Sequence, residues 1–245
     1  MKTLKLAIIL FLFSITGPSV FAQNADEIIT KYITSIGGAD KLKTVKGIKM
    51  EMSVNAQGME IPVEMVQLAG GKMYLKLNLQ GKEMTQMASD GTTIWTTNFM
   101  TMKAEKADAE TTENAKLSSA DFPDALLDYK SKGYSVEYIG KETKEGTECY
   151  KVKLTKKPIS VDGIKVDDVT YYFFDSENNL AIATETEIKE GPMKGEKSLS
   201  TMSDYQEVDG LYFPFAMNQG GQDLKIKKIT LNPVVDEKAF AFPTE

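Results

Sequence analysis

From Gly47 onward the chain is punctuated by turn dipeptides about every ten residues, and the runs between them alternate apolar and polar side chains. Gln57-Gly58, Gly70-Gly71, Gln80-Gly81 and Asp90-Gly91 mark the first half; Glu145-Gly146, Asn178-Asn179, Asp209-Gly210 and Gly220-Gly221 mark the second. Connections this short join antiparallel neighbours, because parallel strands need long crossovers. The runs 47–56, 60–69, 72–79, 82–88, 92–98, 134–140, 147–155, 166–175, 180–189, 197–206, 211–218 and 223–231 therefore read as twelve strands of a meander. That is too many for a small sandwich and demands a strongly curved sheet or a barrel.

One stretch of this pattern is chemically unusual. Nine of the twelve methionines beyond Met1 fall between Met50 and Met102. Ile48, Met50, Met52 and Val54 share one strand face, while Lys49, Glu51, Ser53 and Asn55 share the other. Ile61, Val63 and Met65 repeat the alternation, as do Met73, Leu75, Leu77 and Leu79. Methionine is unbranched and polarizable, so it can fill an ordinary core or reshape around a flexible apolar guest.

Two segments break the β pattern. Asn24 is placed to cap a first helix, with Glu27 at the capping-box position and Ile28, Ile29, Tyr32, Ile33 and Ile36 as its apolar stripe before Gly37-Gly38 stops it. Residues 101–120 are polar and carry no β pattern. They lead into Asp121-Phe122-Pro123, which reads as the start of a helix carrying Ala125, Leu126 and Tyr129 and ending at Gly133. Such an insert could cover a barrel's open face; the plainer alternative is a solvated linker between two β domains.

The N-terminus has the grammar of a secretory signal: Lys2 and Lys5, the apolar stretch 6–15, and Val20-Phe21-Ala22 before a cleavage point. Residues 1–22 are thus expected to be removed, leaving 23–245 as one exported domain of net charge −8, with no cysteine at its new N-terminus to be lipidated. No later stretch reaches the ~18 consecutive apolar residues of a membrane span. A negative chain without clustered basic residues is a poor partner for nucleic acid. The lone Cys149 reads as a buried strand residue.

Two absences close most catalytic routes. The chain has no histidine, and all 29 basic residues are lysine. Ser-His-Asp and Cys-His chemistry need an imidazole, as do the usual zinc sites, and bidentate phosphate clamps need arginine. Carboxylates such as Asp167, Asp168 and Asp204 could in principle serve a glycan-processing enzyme. Adjacent acids on a strand face opposite ways, however, and no S-x-x-K element accompanies Ser53, Ser118 or Ser119. No metal or cofactor is expected.

Several elements, taken in order, resemble a known family. They are Gly37-Gly38-Ala39-Asp40-Lys41-Leu42, Asp90-Gly91 before Trp95, Asp128-Tyr129-Lys130, Asp204-Tyr205, Val208-Asp209-Gly210-Leu211-Tyr212-Phe213-Pro214, Asn232-Pro233 and Phe240-Ala241-Phe242-Pro243. Together they resemble the LolA-like, outer-membrane lipoprotein-sorting proteins. The resemblance implies an incomplete antiparallel β-barrel of about eleven or twelve strands with helices inside as a lid. It also implies a soluble periplasmic carrier or chaperone that shields lipoprotein acyl chains or free lipid and exchanges them with a membrane-bound donor or acceptor. The best-known carriers use a lid arginine in gating; this chain has none, so that residue does not carry over.

On this reading the acyl-lining candidates are Met50, Met52, Val54, Val63, Met65, Met73, Leu75, Leu77, Met84 and Trp95, with Phe122 and Leu126 from the insert. No catalytic residue is expected. The alternative is a non-enzymatic envelope sensor or assembly module that uses the same fold to bind a protein partner.

Overall fold

The computed structural model describes residues 19–56 and 58–243. Most of the signal-peptide reading, residues 1–18, lies outside them. Helix α1 spans Ser19–Ser35, so it runs through Asn24 rather than starting there as the capping pattern suggested. Ala22 and Gln23 favour helix and nothing between Ser19 and Asn24 interrupts it. A short α2, Ala39–Leu42, follows the Gly37-Gly38 stop.

Five strands come next: β1 Gly47–Ala56, β2 Met59–Leu68, β3 Lys72–Leu79, β4 Lys82–Asp90 and β5 Ile94–Asn98. The stretch expected to lack β structure supplies one more, β6 Lys103–Lys106, and then helix α3, Ala109–Ser119. The second half runs β7 Ser135–Lys144, β8 Thr147–Thr155, β9 Ile159–Val161, β10 Ile164–Val166 and β11 Val169–Asp175. It ends with β12 Ala181–Glu187, β13 Lys197–Val208, β14 Leu211–Gln219 and β15 Gln222–Leu231, followed by a 3₁₀ turn, Glu237–Phe240.

Thirteen strands form a single antiparallel sheet in the order β6-β5-β4-β3-β2-β1-β15-β14-β13-β12-β11-β8-β7, and the ends β6 and β7 are not paired. The barrel is incomplete. The small hairpin β9–β10 stands apart from it.

Register aligns the apolar alternation into rows. Ile48, Gln67, Met73, Ser89 and Ile94 lie opposite one another across β1 to β5. The next row is Met50, Met65, Leu75, Met87 and Thr96, and a third is Met52, Val63, Leu77 and Met84. Met84 and Met87 share this face although they are three apart, because the β3–β4 pairing slips between Leu75 and Lys76.

The core lies inside the curve. Ile28, Ile29, Tyr32, Ile33 and Ile36 of α1 pack with Val152, Leu154, Phe174, Leu211, Phe215 and Ile229. Burying such aliphatic and aromatic side chains is worth about 1.5–3 kcal/mol each. Phe173 and Phe174 are both fully buried, one on each sheet face, as the unbroken aromatic run 171–174 suggested. Phe173 joins Cys149 and Ala183 on the outer face. Burial raises the Cys149 thiol above its usual pKa, as befits a packed residue.

Motifs distant in sequence meet at one end. The Tyr212 amide donates to the Ile36 carbonyl at 3.0 Å, bringing Gly37-Gly38 against Gly210-Leu211. Asn232 Oδ1 accepts from the Lys46 and Gly47 amides at 2.6 and 3.3 Å, closing the sheet between its first and last strands.

Candidate functional site

Helix α3 lies over the inner face of β3, β4 and β5 and encloses a cavity of about 320 Å³. Its floor is Met73, Met87 and Ile94, with Gln67, Ser89 and Thr96 between them. Its roof is the small-residue side of α3, including Thr112, Ala115 and Ser119, with Lys116 at the mouth. The exposed lining surface is mostly apolar, although seven Ser and Thr residues and Gln67 contribute to it, and Lys116 is its one charged residue.

Local chemistry explains this helix. Asp108 caps it by accepting from the Thr111 amide at 2.7 Å. None of its residues is fully buried, so it rests on the sheet without being part of the core. Its far end needs glycine beneath it. A Cβ on Gly71 would stand 3.1 Å from that of Ser119, and Gly71 has φ +85°.

The other face of α3 is held by the β9–β10 hairpin. Asn114 Nδ2 donates to the Ser160 carbonyl at 2.7 Å and Asn114 Oδ1 accepts from the Ser160 amide at 2.9 Å. Glu110 caps the hairpin turn, accepting from the Asp162 and Gly163 amides at 3.0 and 2.8 Å. Four polar contacts thus hold a helix that has little apolar attachment.

Residues 121–133 form successive turns and not the expected helix. Asp121 is consumed by other partners: its carboxylate accepts from Tyr134 Oη at 2.8 Å and pairs with Lys156 at 2.9 Å. Asp124 accepts from the Leu126 amide and from Tyr32 Oη, both at 2.7 Å. Burial raises the Asp124 carboxyl above its ordinary pKa despite those bonds. Phe122 and Leu126 therefore sit on a looped plug against α1, with Leu126 buried in the core.

Nine of the twelve lining candidates share the concave face: Met50, Met52, Val54, Val63, Met65, Met73, Leu75, Leu77 and Met84. Met73 alone of them borders the cavity; Met52 and Val63 are already buried. Trp95 is a correction. It lies on the outer face, packed with Val66, Tyr74, Ala88 and Phe240, its Nε1 donating to the Phe240 carbonyl at 3.3 Å. Alternation forces this, since its neighbour Ile94 faces the cavity. Met87 and Ile94 were not among the candidates.

The acidic candidates do not assemble a reactive pair. Asp168 pairs with Lys156 at 2.8 Å, and Asp204 accepts from Gln206 at 2.9 Å. Among the described residues no cluster of three or more acidic or cysteine side chains is placed to hold a metal. Nor is any described helix long and apolar enough to cross a membrane.

Comparison with solved structures fixes the architecture. A LolA superfamily protein from Nitrosomonas europaea superposes with a TM-score of 0.53 at 12% identity, covering 89% of this chain and 97% of that one. The fold is LolA-like. A DUF1329 family protein from Desulfovibrio piger superposes equally well, with a TM-score of 0.53 at 12% identity and the same coverage of 89% and 97%. No family profile matches the sequence, and no curated relative matches it. At such identity the LolA-like likeness speaks to fold and leaves cargo to be argued from the site.

Proposed function

We propose that this protein is a non-enzymatic periplasmic carrier that shields acyl chains of a lipoprotein or free lipid during transfer towards the outer membrane. The observation that carries this reading is the apolar space between α3 and the methionine-rich wall. Its volume, about 320 Å³, falls in the range of small-molecule pockets. One of the solved structures that superposes on this chain is a LolA superfamily member, which supports the reading at the level of fold.

Transfer of an acyl chain onto this wall gains ~0.8 kcal/mol per CH₂ before ordering costs. Met73 and Met87 can adjust their rotamers to a mobile chain without creating voids. Rows two and three, from Met50 to Thr96 and from Met52 to Met84, extend the apolar floor beyond the cavity. A longer chain can occupy them once α3 moves aside. Lys116, exposed at the mouth, offers a donor to a carboxylate or phosphate head group. With no arginine to gate the lid, the contacts of Glu110 and Asn114 with the hairpin take that role. Unloading requires a partner or membrane that competes for the chain, because an acyl chain does not leave readily into water.

Native mass spectrometry with lipid extraction, on mature protein purified from its own envelope without detergent, tests this directly. A stoichiometric acylated species is expected. A clean apo mass, together with no uptake of added fluorescent fatty acid, would overturn the carrier reading and favour a partner-binding module on the same fold.

A further inference from the structure

Large apolar side chains that remain exposed are distributed unevenly over this barrel. Of the ten among the described residues, six lie on connections at one end of the strands. The β1–β2 turn ends in Met59 and the β3–β4 turn carries Leu79. At the β5–β6 turn Phe99 is 52% exposed, Met100 96% and Met102 54%. The β12–β13 connection adds Met193. Register places these four connections on the same end, because Ala56 pairs Met59, Leu79 pairs Lys82, Asn98 pairs Lys103 and Glu187 pairs Lys197. The β9–β10 hairpin also starts from that end, but its tip, next to Ile164, is held on α3 by Glu110. The opposite end turns through Gly70-Gly71, Asp90-Gly91, Glu145-Gly146, Asn178-Asn179 and Asp209-Gly210, with only Tyr212 and Val234 exposed near it.

We infer that the Phe99 end of the barrel docks on a lipid bilayer surface. Scattered exposed apolar residues are normal, but a set gathered at the tips of one rim is not. The tips are separate turns, so they make no continuous flat patch of the kind a protein partner packs against. A bilayer accepts separate tips, each sinking into the boundary between head groups and chains. Lysines flank several tips: Met102 and Met193 are each followed by an exposed lysine, Lys103 and Lys194, and Leu79 precedes exposed Lys82 by three residues. Lysines beside buried tips can keep their ammonium groups at the phosphate level. Of the acids at this end, Glu60 pairs with Lys227 and Glu83 with Lys76, at 2.6 and 2.8 Å, while Glu190 and Glu196 stand exposed on either side of Met193.

The geometry also gives docking a purpose. Met59 continues the face of Ile61 and Val63, and Leu79 continues that of Leu77 and Leu75. The apolar rows of the inner wall thus begin at the docked rim and end at the cavity under α3. An acyl chain drawn from the bilayer would meet side chains of one character along this path. This inference goes beyond the carrier reading and is separable from it, since fatty-acid uptake tests one and membrane binding the other.

The experiment is flotation of the mature chain with protein-free vesicles of phosphatidylethanolamine and phosphatidylglycerol. The wild type is expected to float, and the Phe99→Ser, Met100→Ser, Met102→Ser triple variant to lose about tenfold or more in vesicle affinity. Met193→Ser should also weaken binding, whereas Val234→Ser, at the other end, should not. These side chains are exposed, so the variants keep the fold, and unchanged circular dichroism and fatty-acid uptake verify it. Failure of the wild type to float overturns the inference, as does equal loss with Val234→Ser. Flotation only with native envelope vesicles, and not with protein-free ones, would assign this rim to a membrane protein instead.

Discussion

Asn114 exchanges two hydrogen bonds with the backbone of a single residue, Ser160, at 2.7 and 2.9 Å. The side chain completes the edge of the β9–β10 hairpin as another strand would, while its own backbone stays helical. Through this pair, a helix with no fully buried residue is fixed over an apolar cavity. Each such bond contributes about 1 kcal/mol net, so the closure is adequate at rest and reversible.

Replacing Asn114 by alanine should therefore free α3 selectively. Hydrogen exchange across residues 109–119 is expected to accelerate roughly tenfold or more, the equivalent of one to two lost bonds. The core around α1 should keep its protection, and fluorescent fatty acid should exchange faster. Equal loss of protection throughout the chain would mean that α3 is part of the cooperative core.

The lining assignment predicts graded outcomes along one row of the inner face. Met87→Asp puts an unpaired carboxylate into the cavity floor and should sharply lower fatty-acid uptake. Leu75→Asp or Met65→Asp, one and two strands further along the same row, should lower retention of longer chains more than of short ones. Thermal melts check that the half-buried sites tolerate the change. Retention unaffected by all three would rule out this wall as the binding surface.

Trp95 supplies a complementary test. Its indole is sealed by Phe240 and stands edge-on to Phe242, with centroids 6.2 Å apart. Its emission should be that of a buried indole and should not respond to acyl ligands. Phe240→Ala should destabilise the protein by about 3–5 kcal/mol, shift Trp95 emission to the red and leave ligand uptake intact at low temperature.

How far the sequence reveals this arrangement depends on the element. The methionine rows were legible because Met50, Met52, Val63, Met65, Leu75 and Leu77 recur at every second position, mostly between polar neighbours, with Val66 and Tyr74 as exceptions. Met87 was hidden by a bulge: simple alternation from Met84 assigns Gln86, not Met87, to the inner face. Trp95 was ambiguous because Ile94 beside it is also apolar, so periodicity could not decide which faces in. Helix α3 has no apolar stripe to announce it, and its cap, Asp108 accepting from the Thr111 amide, emerges only in the structure. The loop 121–133 looked helical, yet Asp121 and Asp124 make long-range bonds to Lys156 and Tyr32 that no local pattern encodes. The quoted motifs around Gly37, Gly210 and Asn232 proved to be contacts holding the sheet's framework, which explains why they point to fold more clearly than to cargo.

Acid titration should separate two buried carboxylates of opposite sign. Glu185 is 8% exposed on the outer face. Burial alone would raise its pKa, but Lys197 at 2.7 Å and Lys144 at 3.4 Å hold it below its ordinary 4.5. A depressed folded pKa adds stability that is fully present above 4.5 and is lost as pH falls through the folded value. Glu185→Gln should accordingly cost about 1–3 kcal/mol at pH 7 and less as the solution is acidified. Asp124 runs the other way. Its folded pKa is raised above 3.8 by burial, so the charged form is a liability at neutral pH that is relieved as pH falls through the folded value. Asp124→Asn, which can keep a bond to Tyr32, should remove that relief, leaving the variant's stability relative to wild type most favourable at pH 7 and least favourable below 3.8. Urea unfolding of both variants and the wild type between pH 7 and pH 3.5 would show the two difference curves with opposite slopes. Parallel slopes would mean that one of the two carboxylates does not have the environment described.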